Sequence, residues 1–440
     1  MLTAFGRAFR TPDLRNKMLF TLAILALFRL GSTIPAPGVD YQHVHTCLSL
    51  DQNSSVLALV NLFSGGALLQ LTVFALGIMP YITSSIIIQL LVVVIPRLER
   101  LKEQGQGGQA TLTQYTRYLT VSLAILQATG IVALARSGRL LPCTDNAGNQ
   151  ISLLYSTSIF RIVTLVVTMT AGTAVIMWLG ELITDRGIGN GMSLLIFTSI
   201  AARFPSQGSQ ILRSRGATAF VVVLAAGLLI IVGIVFMEQG QRRIPVQYAK
   251  RMIGRRMYGG TSTYIPLKVN QAGVIPVIFS SSLLYLPQLL SQVWTSNATF
   301  TNFIAKYFTA TDSWTYIGSY ALLTIFFTYF YVAITFNPVE VSDNMRKYGG
   351  FIPGIRPGRP TAEYLEYVLS RITLPGALYL TAIAVLPILA LHFLPGAASG
   401  SNQSFPFGGT SVLILVGVGL DTSKQIESQL MLRNYEGFLR

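Results

Sequence analysis

The residues best able to do chemistry in this chain are few, and most are in the wrong company. Its 440 residues hold three histidines and two cysteines. His43, His45 and Cys47 alternate so that an extended segment would present them on one face. That spacing suits a metal ion, but no fourth ligand is evident, so no metal site is expected. Cys47 and Cys143 both fall in segments expected to face the oxidising side, where a disulfide between them is open to them; sequence alone does not give their separation. There is no Gly-x-x-x-x-Gly-Lys-Ser/Thr loop, and residues 187–191 (GIGNG) resemble a phosphate loop only superficially because no strand precedes them. A turn entering a helix explains them better. No Gly-x-Ser-x-Gly elbow and no mid-membrane carboxylate pair stand out, and Asp421 and Glu427 lie near one end of an apolar stretch, where a proton relay would not be built. No enzymatic activity and no cofactor are expected. Any nucleotide hydrolysis has to be supplied by a partner.

The elements that would position these residues are dominated by lipid-soluble helix. The chain is 51% hydrophobic and 11% charged, with a mean hydropathy of +0.55, whereas a soluble domain carries about a quarter of its residues as charges. A bilayer core of about 30 Å needs about 20 apolar residues per helix. Ten stretches qualify: 18–35, 72–95, 117–135, 157–180, 190–204, 217–237, 272–293, 316–336, 372–394 and 410–430. Helices rather than strands are expected, because an open sheet edge cannot face lipid and barrel-like alternation is absent. Residues 1–35 have the basic start and apolar run of a signal peptide, but the run is long and Ala36 is followed by Pro37 at the one plausible cleavage site, so the first span is expected to be retained.

Of the 32 basic residues, 24 fall at the N-terminus, after span 10, or in alternate loops, and only six in the intervening ones. The positive-inside rule then puts both termini in the cytoplasm. Arg29 and Arg161 lie within or at the edge of a span, where they can snorkel. The formal charge of +15 is mainly a topology signal, though loops that concentrate it would also attract an acidic partner or a ribosome. Five spans on each side of the stretch 204–216 imply halves of opposite insertion, since an odd number per half inverts any repeat. The halves are taken as 1–206 and 207–440, with cytoplasmic loops at about 239–271 and 338–371.

One apolar segment, about 56–70, is half the length needed to cross. It either dips into the protein and returns, which is tolerated where protein or water surrounds it, or lies on the outer leaflet as a surface helix.

Several short motifs in chain order resemble bacterial SecY. They are 61–66 (NLFSGG), 74–82 (FALGIMPYI), 114–118 (QYTRY), 178–181 (WLGE), 186–191 (RGIGNG), 240–245 (GQRRIP), 266–270 (PLKVN), 272–276 (AGVIP), 351–358 (FIPGIRPG) and 408–411 (GGTS). Each is short; their collinearity over nearly the whole chain carries the resemblance. It implies an all-α polytopic membrane protein, ten transmembrane helices in two inverted five-helix halves forming a clamshell, with a re-entrant plug helix. The implied role is the central subunit of the Sec protein-conducting channel, or translocon, in the bacterial inner membrane, passing unfolded secretory chains outward and releasing hydrophobic segments sideways.

By motif position the resemblance puts a pore ring at Ile78, Ile82, Ile196, Ile278 and Ile414. Such a ring gates by dewetting and offers a passing peptide no hydrogen bonds. Without the resemblance each isoleucine reads as lipid-facing or packing. The plug would comprise Asn61, Leu62, Phe63, Ser64, Gly65, Gly66, Ala67 and Leu68. A lateral gate between spans 2 and 7 would carry Thr83, Ser84, Ser85 and Gln89 opposite Asn270 and Gln271, placed to hydrogen-bond across the closed seam. Motor or ribosome binding would fall to Arg242, Arg243, Arg251, Arg255, Arg256, Arg346, Lys347, Arg356 and Arg359, whose guanidinium forks suit carboxylate or phosphate; as single charges they also serve as topology determinants. The implied partners are the small subunits SecE and SecG, the motor ATPase SecA, the ribosome, precursor chains and lipid. The competing reading is a secondary transporter of a small solute, since inverted halves and broken helices fit both.

Overall fold

The structure, a computed structural model, describes residues 11–50, 64–137, 140, 153–155, 158–248, 251–253, 256–258, 262–293, 303–304, 307, 313–393 and 409–436. Each of the ten apolar stretches contains a helix. In the N-terminal half these are α1 (Pro12–Gly31), α3 (Met79–Val94), α5 (Gln106–Arg136), α6 (Ile159–Arg186) and α7 (Gly191–Ala201), with the short α2 (Tyr41–Leu50) and α4 (Pro96–Glu103) between them. The C-terminal half supplies α8 (Phe204–Gln239), α9 (Ile275–Val293), α10 (Trp314–Thr335), α12 (Arg359–Phe393) and α13 (Gly409–Glu436), with α11 (Pro338–Lys347) outside the apolar stretches.

Among the described residues, five helices are long and apolar enough to cross a bilayer alone: α5, α6, α8 from Gly216, the helix from Trp314, and α12. The pair α3 and α4, bent by 100° where Pro96 follows Ile95, makes a sixth. The others fall short for identifiable reasons. Both α1, with Asp13, Arg15, Lys17 and Arg29, and α13, with Asp421, Lys424 and Glu427, carry charge within the helix. Only the stretch Ile275–Leu284 of α9 registers as a shorter apolar helix. With 11 residues, α7 rises only about 16 Å. It is buried in protein instead, through Leu194, Leu195, Ile196, Ser199 and Ile200.

The expected external joint at 204–216 is mostly helix. Pro205 sits in the first turn of α8, where its missing N–H costs nothing, and the break falls at Gly216 (φ 82°, ψ 175°). Span 2 differs too. Its expected first residues, 72–78, are turns, and the helix begins only at Met79.

In the N-terminal half α1 packs on α6 and α7, α3 on α5, α5 on α6, and α6 on α7. In the C-terminal half α8 packs on α13, α9 on α10, α10 on α12, and α12 on α13. The halves meet where α7 lies against α13 and where α9 touches α3 and α5.

The polar loops contain a small sheet that the helical reading does not include. β1 (Gln241–Tyr248) pairs antiparallel with β4 (Ser262–Lys268), in a register that sets Ile244 opposite Ile265, and with β5 (Gly350–Phe351). A hairpin of β2 (Arg251–Ile253) and β3 (Arg256–Tyr258) lies between them in sequence. Ile244, Val246 and Leu267 are buried with Met345, Ile352, Leu365 and Leu369. The loops after α8 and α10 thus share one apolar core and form a single body.

Candidate functional site

The five isoleucines come from different parts of the chain and are buried in one apolar core. Ile78 immediately precedes α3, Ile82 is within its first turn, Ile196 is mid-α7, Ile278 is near the start of α9 and Ile414 near the start of α13. Their exposures are 2%, 9%, 3%, 7% and 1%, and all five belong to one continuous core with Leu68, Leu71 and Leu76. This core straddles the contact between the halves. A cluster of branched apolar side chains offers water no partner, so a constriction built from it excludes ions at little energetic cost.

Of the plug residues, Ser64, Gly65, Gly66, Ala67 and Leu68 are described; Asn61, Leu62 and Phe63 lie outside the described residues. From Ser64 to Ile78 the chain is a run of tight turns, closed by bonds such as Leu71 N–H to the Leu68 carbonyl at 3.0 Å. Ser64, Ala67, Leu68 and Leu71 are all at most 1% exposed. This part of the half-length segment is therefore inside the protein and not on a membrane surface. Two backbone bonds, Ala36 N–H to Leu71 and Val73 N–H to Ile34, tie it to the chain leaving α1.

The expected bonds across the seam between α3 and α9 are not present among the described residues. Short hydroxyls bond back along their own helix, as Ser and Thr do when an i−4 carbonyl is in reach: Thr83 to Met79, Ser84 to Pro80, and Ser280 to Pro276. Gln89 donates to Ser85 on the same helix at 3.3 Å. Asn270 turns away altogether, its Nδ2 donating to Glu238 Oε1 at the end of α8 and to the Gly273 carbonyl. The Gln271 Oε1 is buried without a partner among the described residues. Thr83, Ser84 and Gln89 thus bond within α3, and Asn270 bonds to α8 and to its own turn.

Sequence reasoning missed Glu238. It is 9% exposed, and a carboxylate at the end of an apolar stretch with a Gly after it is the only sequence signal it gives. The bond from Asn270 ties the segment before α9 to the end of α8. Asn270→Leu leaves the carboxylate without its donor and is expected to cost about 1–3 kcal/mol. A lowered Tm of the detergent-purified complex, largely restored by adding Glu238→Leu, is the measurement that checks this.

A second missed pairing lies between two of the motifs. Arg117 and Glu181 form a two-pronged bridge at 2.9 and 2.8 Å between α5 and α6. With the Arg117 side chain 48% exposed, such a pair fixes orientation more than it adds stability.

On the body formed by the loops after α8 and α10, Arg242 and Arg243 are exposed on β1, and the Arg243 guanidinium stacks 4.8 Å from the Tyr264 ring centre. The backbone places Arg251 on β2 and Arg256 on β3; Arg255 lies outside the described residues. Arg346 and Lys347 end α11. The turn 353–358 takes its shape from Gly354 (φ 84°) and Gly358 (φ 104°), conformations that favour glycine. Two hydroxyls hold it: buried Ser342 donates to the Gly358 carbonyl at 2.7 Å and Thr361 to the Arg356 carbonyl at 2.8 Å. Arg356 and Arg359 project from it into solvent, and Arg359 pairs with Glu363 at 3.2 Å.

His43 pairs with Asp40 at 3.1 Å, and no group of metal-competent side chains occurs among the described residues. The segment 41–50 is helical, so His43, His45 and Cys47 do not share the single face that an extended chain would give them. Cys47 is fully buried and disulfide-bonded; Cys143 lies outside the described residues.

A family model for SecY matches residues 72–423. The chain belongs to the SecY family. It is 62% identical to the protein translocase subunit SecY of Mycobacterium bovis and 64% identical to that of Streptomyces scabiei, in both cases over all of this chain and all of the relative. The SecY fold also appears in structural comparison. A solved protein-conducting channel aligns with a TM-score of 0.64 at 16% identity, covering 94% of this chain and 91% of that one. Sec61 from a canine ribosome-channel complex aligns with a TM-score of 0.61 over the same shares, also at 16% identity. The SecY relatives are translocase subunits, which leaves the small-solute transporter reading without support.

Proposed function

We infer that this chain is the channel subunit of a protein translocase, a multi-pass membrane protein through which unfolded polypeptide passes outward and from which hydrophobic segments leave sideways into lipid. The observation that supports this reading is the burial of Ile78, Ile82, Ile196, Ile278 and Ile414, from both halves, in one apolar core that also takes in Leu68 and Leu71 of the turn-rich segment. In the resting state the isoleucines form the constriction and the segment around 61–68 is the plug. Opening separates α3 from α9, which touch without a hydrogen bond between them among the described residues, so the seam parts without breaking a polar network.

The chain supplies no chemistry of its own in this reading. Directional force comes from partners on the cytoplasmic body, a SecA-type motor ATPase or a ribosome, docking on Arg242, Arg243, Arg346, Lys347, Arg356 and Arg359. SecE and SecG are the small membrane subunits that fit its lipid-facing surface. Both termini lie in the cytoplasm of a bacterial inner membrane, as the basic loops require. The outward side is then oxidising, consistent with Cys47 being bonded, and Cys143 is its partner.

A photoreactive residue at position 278 tests the reading. It is expected to crosslink to a secretory chain stalled midway, with motor and accessory subunits present, and not to an idle complex. Absence of the crosslink with stalling confirmed would remove Ile278 from the path.

A further inference from the structure

Arg29 is a charge inside an apolar helix, and the channel reading does not use it. It lies in the last turn of α1, and its Nη1 donates to the carbonyl of Gly65 at 3.0 Å, bridging 36 positions of sequence. Gly65 itself has φ 68° and lies so close to its surroundings that a Cβ there would stand 3.2 Å from Arg29 Nη1 and 3.2 Å from the Cα of Ser199 on α7. The segment is therefore pinned between α7 backbone and one guanidinium. Arg203, just beyond the end of α7, is half-buried and lies within the electrostatic reach of Arg29. Neither arginine has a carboxylate partner among the described residues.

The partner that Arg29 does have is backbone, the Gly65 carbonyl. α1 ends at Gly31 and α7 at Ala201, and the C-terminal end of a helix presents unpaired carbonyls equivalent to about half a negative charge. The Gly65 carbonyl adds an acceptor from outside both helices.

We propose that Arg29 is a latch: its hydrogen bond to Gly65 holds the plug across the outer mouth at rest, making Arg29 a positioning residue for gating. This rests on the plug reading above. The bond is charge-assisted, hence directional and strong for its size, yet it is a single bond whose donor sits beside a repelling neighbour, so closure is firm and still reversible. Arg203 works against the latch, by adding a positive charge that Arg29 has to tolerate.

The test is resting ion conductance of the reconstituted full complex in planar bilayers. Arg29→Met keeps the length and apolar stem but removes the donor, and is expected to raise idle conductance about tenfold, the change that losing one charge-assisted hydrogen bond makes. Arg29→Lys retains part of the seal. Arg203→Met alone is no leakier than the parent. Deletion of residues 61–68 calibrates the plug itself. If the deletion leaks and Arg29→Met stays as tight as the parent, the latch is wrong and the plug reading stands. If neither leaks, the plug reading fails and takes the latch with it. Should Arg29→Met accumulate poorly, Gly65→Ala attacks the same contact from the plug side, and a tight Gly65→Ala channel overturns the proposal.

Discussion

Replacing Ile278 with serine is expected to make the idle channel conduct ions, with no signal sequence, motor or ribosome present. Ile278 is 7% exposed at the start of α9 and packs in the core that the two halves share. A closed hydrophobic constriction resists ions because water cannot remain in it. Serine removes branched apolar volume and adds a hydroxyl that can anchor water, so both the shape and the dryness of the site change together. Lowering the barrier by about 1.4 kcal/mol raises the rate of ion passage about tenfold. Ile196→Ser on α7 should act the same way, while Ile278→Leu, which keeps the volume, should stay tight. Bilayer recordings in which Ile278→Ser and Ile196→Ser are both as quiet as the parent would falsify the ring.

Reversing the charge at position 356 is expected to abolish motor-driven transport while leaving the complex intact. Arg356 projects from a turn whose backbone is held independently of it, by Gly354, Gly358 and the hydroxyls of Ser342 and Thr361. A backbone held in this way need not be ordered on docking, and arginines are enriched among the residues that dominate interfaces, with truncation costing about 2 kcal/mol or more, roughly thirtyfold in affinity. Arg356→Glu adds repulsion to that loss. Preprotein uptake into inverted vesicles should fall by about two orders of magnitude, and stimulation of the motor's ATPase with it. Normal uptake by Arg356→Glu vesicles would remove Arg356 from the docking surface. Arg359→Glu should be milder, because Arg359 already spends its charge on Glu363.

The helices were legible because burial in lipid is written residue by residue: an apolar stretch is apolar whatever it packs against. The sheet was not. Along β1 the buried Ile244 and Val246 alternate with Arg243 and Gln247, but the pattern covers few residues and includes Pro245, which argues against a strand when read alone. Its partners β4 and β5 come later in the chain, and one of them is two residues long. The site shows the same division. The isoleucines are visible only through motif alignment, since nothing in an isoleucine distinguishes a gate from packing. Polar residues on α3 and before α9 suggested bonds across a seam, and folding gave them nearer partners instead. The pairs that matter most, Arg29 with Gly65 and Glu238 with Asn270, lie 36 and 32 positions apart. Neither separation follows a helical or strand period, so only the fold could reveal them.

The shortness of α7 bears on how the molecule is made. Its 11 residues cannot cover the apolar thickness of a bilayer, and its neighbours are α1, α6 and α13. When α7 leaves the ribosome, α1 and α6 already exist, but α13 begins only at Gly409. Until it arrives, one side of α7 lacks the surface that will shield it, and Ile196 and Ile414 have not met. A nascent chain therefore leaves one flank of α7 uncovered until α13 is made.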